Sequence, residues 1–238
     1  MRPLRHAAPG EISPGSSTSV GGLLPGRVGT GTPGQPRVWL DVAFLVRDVV
    51  MSSLLSDFIT QCVDVTRAHE SPADCVEALA PSMLHLLSQT DSFLTDAHRK
   101  SDPAGYARNL IHATDDESLS LYALVWNPGQ WTPVHDHGSW GVVGVVEGVL
   151  EERNYARVDD HHTRNDRIEL VRSGVILLSP GAVTTFVPNP DHIHLTGVDA
   201  AREPVVSLHL YGRQMDNFYV YDVDQGTRRL IDVAHNKS

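Results

Sequence analysis

Near residue 119 the spacing of apolar side chains changes from every third or fourth residue to every second, and this change divides the chain into two kinds of structure. Upstream, Trp39, Leu40, Ala43, Phe44 and Val46 to Val50 form a stripe that Leu54, Leu55, Phe58 and Ile59 continue, with room for a break near Met51–Ser53. A helix buries one such stripe. Ser71-Pro72 reads as a cap followed by proline at the first helical position, with Asp74 near the positive helix end. Val76, Leu79, Ala80, Met83, Leu84 and Leu87 keep the spacing, Pro81 is a candidate kink, and Ser101-Asp102-Pro103 is a turn signal. The pattern predicts a helical part over about 39–100.

Downstream, Leu119, Leu121, Ala123 and Val125 alternate with Ser120, Tyr122, Leu124 and Trp126 until Asn127-Pro128-Gly129 ends the run. Further short runs follow at Gly141 to Val146, Val149 to Tyr155, Arg167 to Val171, Val175 to Leu178, Thr184 to Val187, Val205 to Tyr211 and Phe218 to Tyr221. Short strands without long helices between them predict an antiparallel sandwich or small barrel over about 119–221, with the helical part packed outside it.

Residues 1–35 hold eight glycines and five prolines but little to bury, and read as a disordered extension ahead of a single domain over 36–238. Arg2 and Arg5 are not followed by the apolar stretch of a signal peptide, which points to the cytoplasm. No run is long and apolar enough to cross a membrane, and a net charge of -10 argues against nucleic acid or an anionic membrane as partner. Cys62 and Cys75 cannot build a disulfide framework and read as buried free thiols. A monomer or weak homo-oligomer is expected.

The chemistry lies in the histidines. His135 and His137, two apart in Pro133-Val134-His135-Asp136-His137-Gly138, would project from one face of an extended segment. As a bare pair they are equally explained by a polar surface turn. In Ser207-Leu208-His209-Leu210-Tyr211 alternation puts Ser207, His209 and Tyr211 on one face, either toward solvent or inward as a hydrogen-bonded relay. His192 or His194 could complete three nitrogen donors with His135 and His137, and imidazoles alone do not choose among iron, nickel, zinc and cobalt. Arg108, taken by itself, reads as half of a surface ion pair. His161 and His162 read as an exposed polar turn.

Gly129, His135-Asp136-His137, Gly141 and Gly148 are separated by five, three and six residues and resemble the first cupin motif. Gly174-Val175-Ile176-Leu177-Leu178-Ser179-Pro180 resembles the start of the second. Together with His194, the Ser207-to-Tyr211 run and Tyr106-Ala107-Arg108-Asn109-Leu110, these motifs make the chain from roughly Leu40 to Asp224 similar to the cysteine dioxygenase type I family of bacterial thiol dioxygenases. The resemblance implies an all-β cupin barrel or jelly roll. It implies one Fe(II) on His135, His137 and His194, a catalytic relay of Ser207, His209 and Tyr211, and a substrate carboxylate held by Arg108 beside Tyr211. The implied reaction adds both atoms of O2 to the thiol of L-cysteine, giving cysteine sulfinic acid, in cysteine catabolism. Enzymes acting on 3-mercaptopropionate share the histidines but tend to carry glutamine at the place of Arg108. That substrate is the alternative, with a non-catalytic metal- or ligand-binding cupin behind it. One departure stands out. Animal members join a cysteine covalently to the active-site tyrosine, whereas Gly141 stands near that point here, so Tyr211 is expected to be unmodified.

Overall fold

Two helices carry the upstream stripe. The computed structural model describes residues 29–30, 38–39, 42–159, 167–188 and 192–237. The chain divides into two compact units, Met1–Val46 and Arg47–Ser238. In the first, β1 (Gly29–Thr30) pairs antiparallel with β2 (Val38–Trp39). The expectation of disorder over residues 1–35 otherwise falls outside the described residues, as does that for His161 and His162.

Helix α1 spans Val42–Ala68 and runs through Met51–Ser53 without the break its sequence allowed. Helix α2, Pro72–Leu87, begins at Ser71-Pro72 as its sequence predicts and buries Cys75, Val76, Leu79, Met83 and Leu86. Pro81 lies inside it and does not end it. Pro81 and Glu77, whose carbonyl loses its partner to the proline, both lie on the exposed face, where water replaces the lost bond. Cys62 and Cys75 are buried free thiols, and burial pushes the Cys62 thiol up to about 12.

After a 3-10 turn at Thr90–Ser92 come β3 (Ala107–Ala113), β4 (Ser120–Trp126), β5 (Gly141–Glu147), β6 (Leu150–Arg157), β7 (Leu170–Leu178) and β8 (Val183–Phe186). Then follow β9 (Ile193–Gly197), β10 (Val205–Tyr211), β11 (Asn217–Asp222), β12 (Thr227–Asp232) and β13 (Asn236–Lys237). The larger sheet has the order β13-β3-β4-β10-β5-β8, antiparallel except for β13 against β3. Facing it are the sheet β7-β6-β9 and the hairpin β11-β12. The segment around residues 131–135 joins these two: Trp131 bridges Gly197, and His135 bridges both His194 and Val220.

Strands β4 and β10 are buried on both faces, and each face has its own work. Leu121, Ala123, Leu208 and Leu210 pack with Phe58, Ile59, Leu79 and Met83 of the helices in one core. Tyr122, Leu124, Trp126 and Tyr211 pack with Leu150, Phe218 and Val220 of the facing strands in another. The fold is thus a cupin-type antiparallel barrel with the helical part on the outer face of the larger sheet. The strands of this barrel begin at Ala107 and continue past Tyr221, outside the 119–221 span expected from alternation. The two runs expected around Gly174 form one strand, β7, which carries Ser173 as an extra residue in a bulge opposite Asn154 and Tyr155 of β6.

Candidate metal centre and substrate cavity

His135 and His194 face one another across adjacent backbones, with His135 N donating to His194 O at 2.8 Å and His194 N to His135 O at 3.0 Å. Residues paired in this way point their side chains to the same side, and His137, two further along, joins them. The ring centroids lie 4.8 Å apart for His135–His137, 4.7 Å for His135–His194 and 4.9 Å for His137–His194. One donor atom of each lies within 4.8 Å of those of the other two. Asp136 points the opposite way and accepts bonds from the Tyr221 hydroxyl (2.8 Å) and the Tyr219 amide (3.2 Å), which anchors the segment to β11.

All three histidines are buried. Burial, reinforced by neighbouring histidines, holds His135 and His137 well below the ordinary imidazole pKa, and burial also lowers His194. They are therefore neutral near pH 7, the form that ligates a metal. His135 Nδ1 donates to the Pro133 carbonyl at 3.0 Å, because a carbonyl only accepts, and this leaves the Nε2 lone pair available. Among the described residues, His137 Nδ1 and both ring nitrogens of His194 have no hydrogen-bond partner. Buried polar atoms left in this way are costly, and a divalent first-row ion is a partner that neutral imidazoles fit.

The Ser207, His209 and Tyr211 face of β10 turns inward. Trp126 Nε1 donates to Ser207 Oγ at 3.0 Å, Ser207 Oγ lies 2.9 Å from His209 Nε2, and His209 Nδ1 lies 3.1 Å from the Tyr211 hydroxyl. The indole donates to Ser207, and the His209 tautomer sets the direction of the two bonds beyond it: with the proton on Nδ1, Ser207 donates to Nε2 and the Tyr211 O–H is left to donate into the cavity. Burial, with His194 and the Arg108 guanidinium nearby, lowers His209 to about 3, so it is neutral. Burial pushes the Tyr211 hydroxyl well above its ordinary pKa, so it stays protonated.

Arg108, on β3, is buried at 8% exposure and is not half of a surface ion pair. Its Nη2 donates to the Met215 carbonyl, its guanidinium lies 4.9 Å from the centre of the Tyr122 ring, and its buried Nη1 has no hydrogen-bond partner among the described residues. Arg108, Tyr211, His209 and the three histidines line one narrow cavity of about 20 Å³.

His192 lies outside the group of His135, His137 and His194 but close to it: its ring is 4.5 Å from that of His194, and with Glu152 and His194 it forms a second group whose possible ligand atoms fall within 4.8 Å of one another. His192 Nε2 lies 3.4 Å from Glu152 Oε1, and the His192 ring stacks on Phe186 at 4.6 Å. Phe186 also stacks on His137 at 4.3 Å. Sequence reasoning passed over Glu152, Phe186 and Trp126. A signal existed for Glu152, which shares the inward face of β6 with Leu150 by alternation.

An antiparallel barrel enclosing three converging histidines able to hold a metal defines a cupin with a candidate metal centre. Residues 46–224 match the family model for cysteine dioxygenase type I, and the chain belongs to that family. It is 25% identical to cysteine dioxygenase type 1 of Homo sapiens over 142 residues, 59% of this chain and 68% of that protein. Against the Rattus norvegicus protein the identity is 24% over the same lengths. A cupin-like protein of Thermotoga maritima is 16% identical, with 56% of this chain and 84% of that one covered at a TM-score of 0.34. The fold assignment rests on the strand pairing described above.

Proposed function

We propose that the protein is an iron-dependent thiol dioxygenase that converts L-cysteine and O2 to cysteine sulfinic acid, with His135, His137 and His194 holding Fe(II). The observation carrying this reading is a buried cavity lined by three neutral histidines, a tyrosine hydroxyl beside His209, and a guanidinium nitrogen without a partner among the described residues. When bound, a ferrous ion would supply the one-electron chemistry that lets dioxygen react with a thiol. Arg108 binds the substrate carboxylate through Nη1 while Met215 holds Nη2, so the guanidinium presents a fixed edge. Tyr211 donates its hydroxyl proton toward charge developing on oxygen, and His209 and Ser207 keep that hydroxyl aimed. Apolar walls at Phe218 and Val143 exclude water. The same reading assigns the reaction to cytoplasmic cysteine catabolism.

The test supplies ferrous protein with cysteine and with 3-mercaptopropionate under air and follows oxygen uptake and sulfinate. Wild type should prefer cysteine, whose amine and sulfur together fix where its carboxylate lies. Arg108→Gln should cost cysteine about 1.5–3 kcal/mol in kcat/KM, the range for a charged hydrogen-bonded pair, and cost 3-mercaptopropionate less. A wild-type preference for 3-mercaptopropionate would transfer the assignment to that substrate. No oxygen uptake with either thiol would leave a binding protein.

A further inference from the structure

Glu152 is a carboxylate in the wrong place for a structural salt bridge. It lies on β6, is 4% exposed, and among the described residues its ion-pair partners are two histidines. Its Oε2 lies 3.6 Å from His194 Nδ1 and its Oε1 lies 3.4 Å from His192 Nε2. Strand register explains this placement. Asn154 faces His194 across β6 and β9, so Glu152, two residues along the same face, meets His194 diagonally.

We infer that Glu152 is a positioning residue, whose carboxylate holds His194 in the three-histidine set and keeps His192 out of it. This rests on the metal-centre reading above. An imidazole offers a lone pair on one nitrogen when the other carries a proton, and a carboxylate beside Nδ1 selects the tautomer with the proton there. His194 then presents Nε2 as its donor, the same nitrogen that the Pro133 carbonyl leaves available on His135. Separations of 3.4 and 3.6 Å are those of ion pairs rather than hydrogen bonds, so the selection acts through charge. A cation on the far side of the His194 ring would polarise that N–H and give the buried carboxylate the positive neighbour it otherwise lacks. The second oxygen draws His192 Nε2 toward β6, and the His192 ring is fixed flat against Phe186 at an interplanar angle of 6°. Glu152 thus explains why two histidines of equal chemistry, two residues apart, have different fates.

The test uses the full-length chain, first metal-free and then titrated with ferrous ion under anaerobic conditions. In the metal-free protein, nitrogen-15 spectra of the histidines should show His194 protonated at Nδ1. Glu152→Leu should scramble that tautomer and weaken ferrous-ion affinity roughly 10–100-fold, the usual loss when a ligand's orienting partner is removed. Glu152→Gln keeps an oxygen acceptor in the same place without the charge and should fall between the two. It also carries the test if the leucine variant melts early. His192→Ala should bind one ferrous ion with wild-type affinity, while His194→Ala should not. Wild-type affinity and an unchanged tautomer in a folded Glu152→Leu would overturn the inference, as would loss of the ion in His192→Ala. Failure of the wild-type chain to bind ferrous ion would instead remove the metal-centre reading and this inference with it.

Discussion

At Gly141 a single missing side chain decides what Tyr211 can become. Gly141 sits opposite Tyr211 on one side and Phe186 on the other, and a Cβ there would meet ring carbons of Phe186 at 2.3–2.9 Å. The Phe186 ring fills the space into which a cysteine at this position would project. Intact mass should show no thioether, and Gly141→Cys alone should add none. Combined with Phe186→Ala, which vacates that space, the cysteine can approach Tyr211, and after incubation with ferrous ion and dioxygen as the oxidant, loss of two hydrogens from the mass would reveal a crosslink. Tyr211→Phe should lower kcat far more than it changes KM, since the hydroxyl acts on charge that develops during reaction rather than on bound substrate. Steady-state rates at saturating oxygen check this. Equal effects on both constants would make Tyr211 a binding residue.

At the scale of elements, strands were legible where apolar residues dominate at least one face, whether or not the other face is buried, and were missed where polar side chains interrupt the run. β10 matches its sequence span of Val205 to Tyr211, but only the tertiary structure turns Ser207, His209 and Tyr211 inward, by placing helices over Leu208 and Leu210. β3 and β9 escaped notice because Ala107 to Ala113 and Ile193 to Gly197 carry arginine, asparagine and histidine where a strand normally shows apolar residues. Two of those residues, Arg108 and His194, line the candidate site. Helix α2 meets β5 at Gly144, where a Cβ would come within 2.9 Å of Leu87 and 3.1 Å of Met83. Gly144→Val should therefore destabilise by about 1–3 kcal/mol despite the strand preference of valine. Leu79→Ala, from a fully buried position, should cost about 2–5 kcal/mol. Urea unfolding measures both, and neither should alter thiol preference, because they lie on the outer face of the sheet.

For the whole molecule, a buried interior rich in neutral histidines makes stability depend on acid. His209 titrates at about 3 in the folded chain against 6.5 for the free group. Between those values the unfolded chain binds the extra proton, so stability rises with pH across the window and is lost as pH falls through it. Metal-free protein should lose about 1.4 kcal/mol per pH unit for this residue alone below about pH 6. His209→Gln should flatten the slope by one proton in denaturant titrations run with chelator. An identical slope in the variant would show that His209 charges without unfolding the chain.

What the sequence determined by itself is that a helical part precedes a β part, with the boundary expected at residue 119 although β3 already begins at Ala107, and the residues from which the candidate site is drawn. These depend on local spacing and on residue chemistry, which a linear reading retains. Tertiary structure alone decided which face of β10 is inside, that Arg108 is buried with a nitrogen to spare, and that His194 rather than His192 joins His135 and His137. Each depends on what a distant strand or helix places opposite: the helices behind Leu208, Met215 beside Arg108, Glu152 between the two histidines. Contacts across such separations set orientation, and orientation is what turns a set of histidines into a centre.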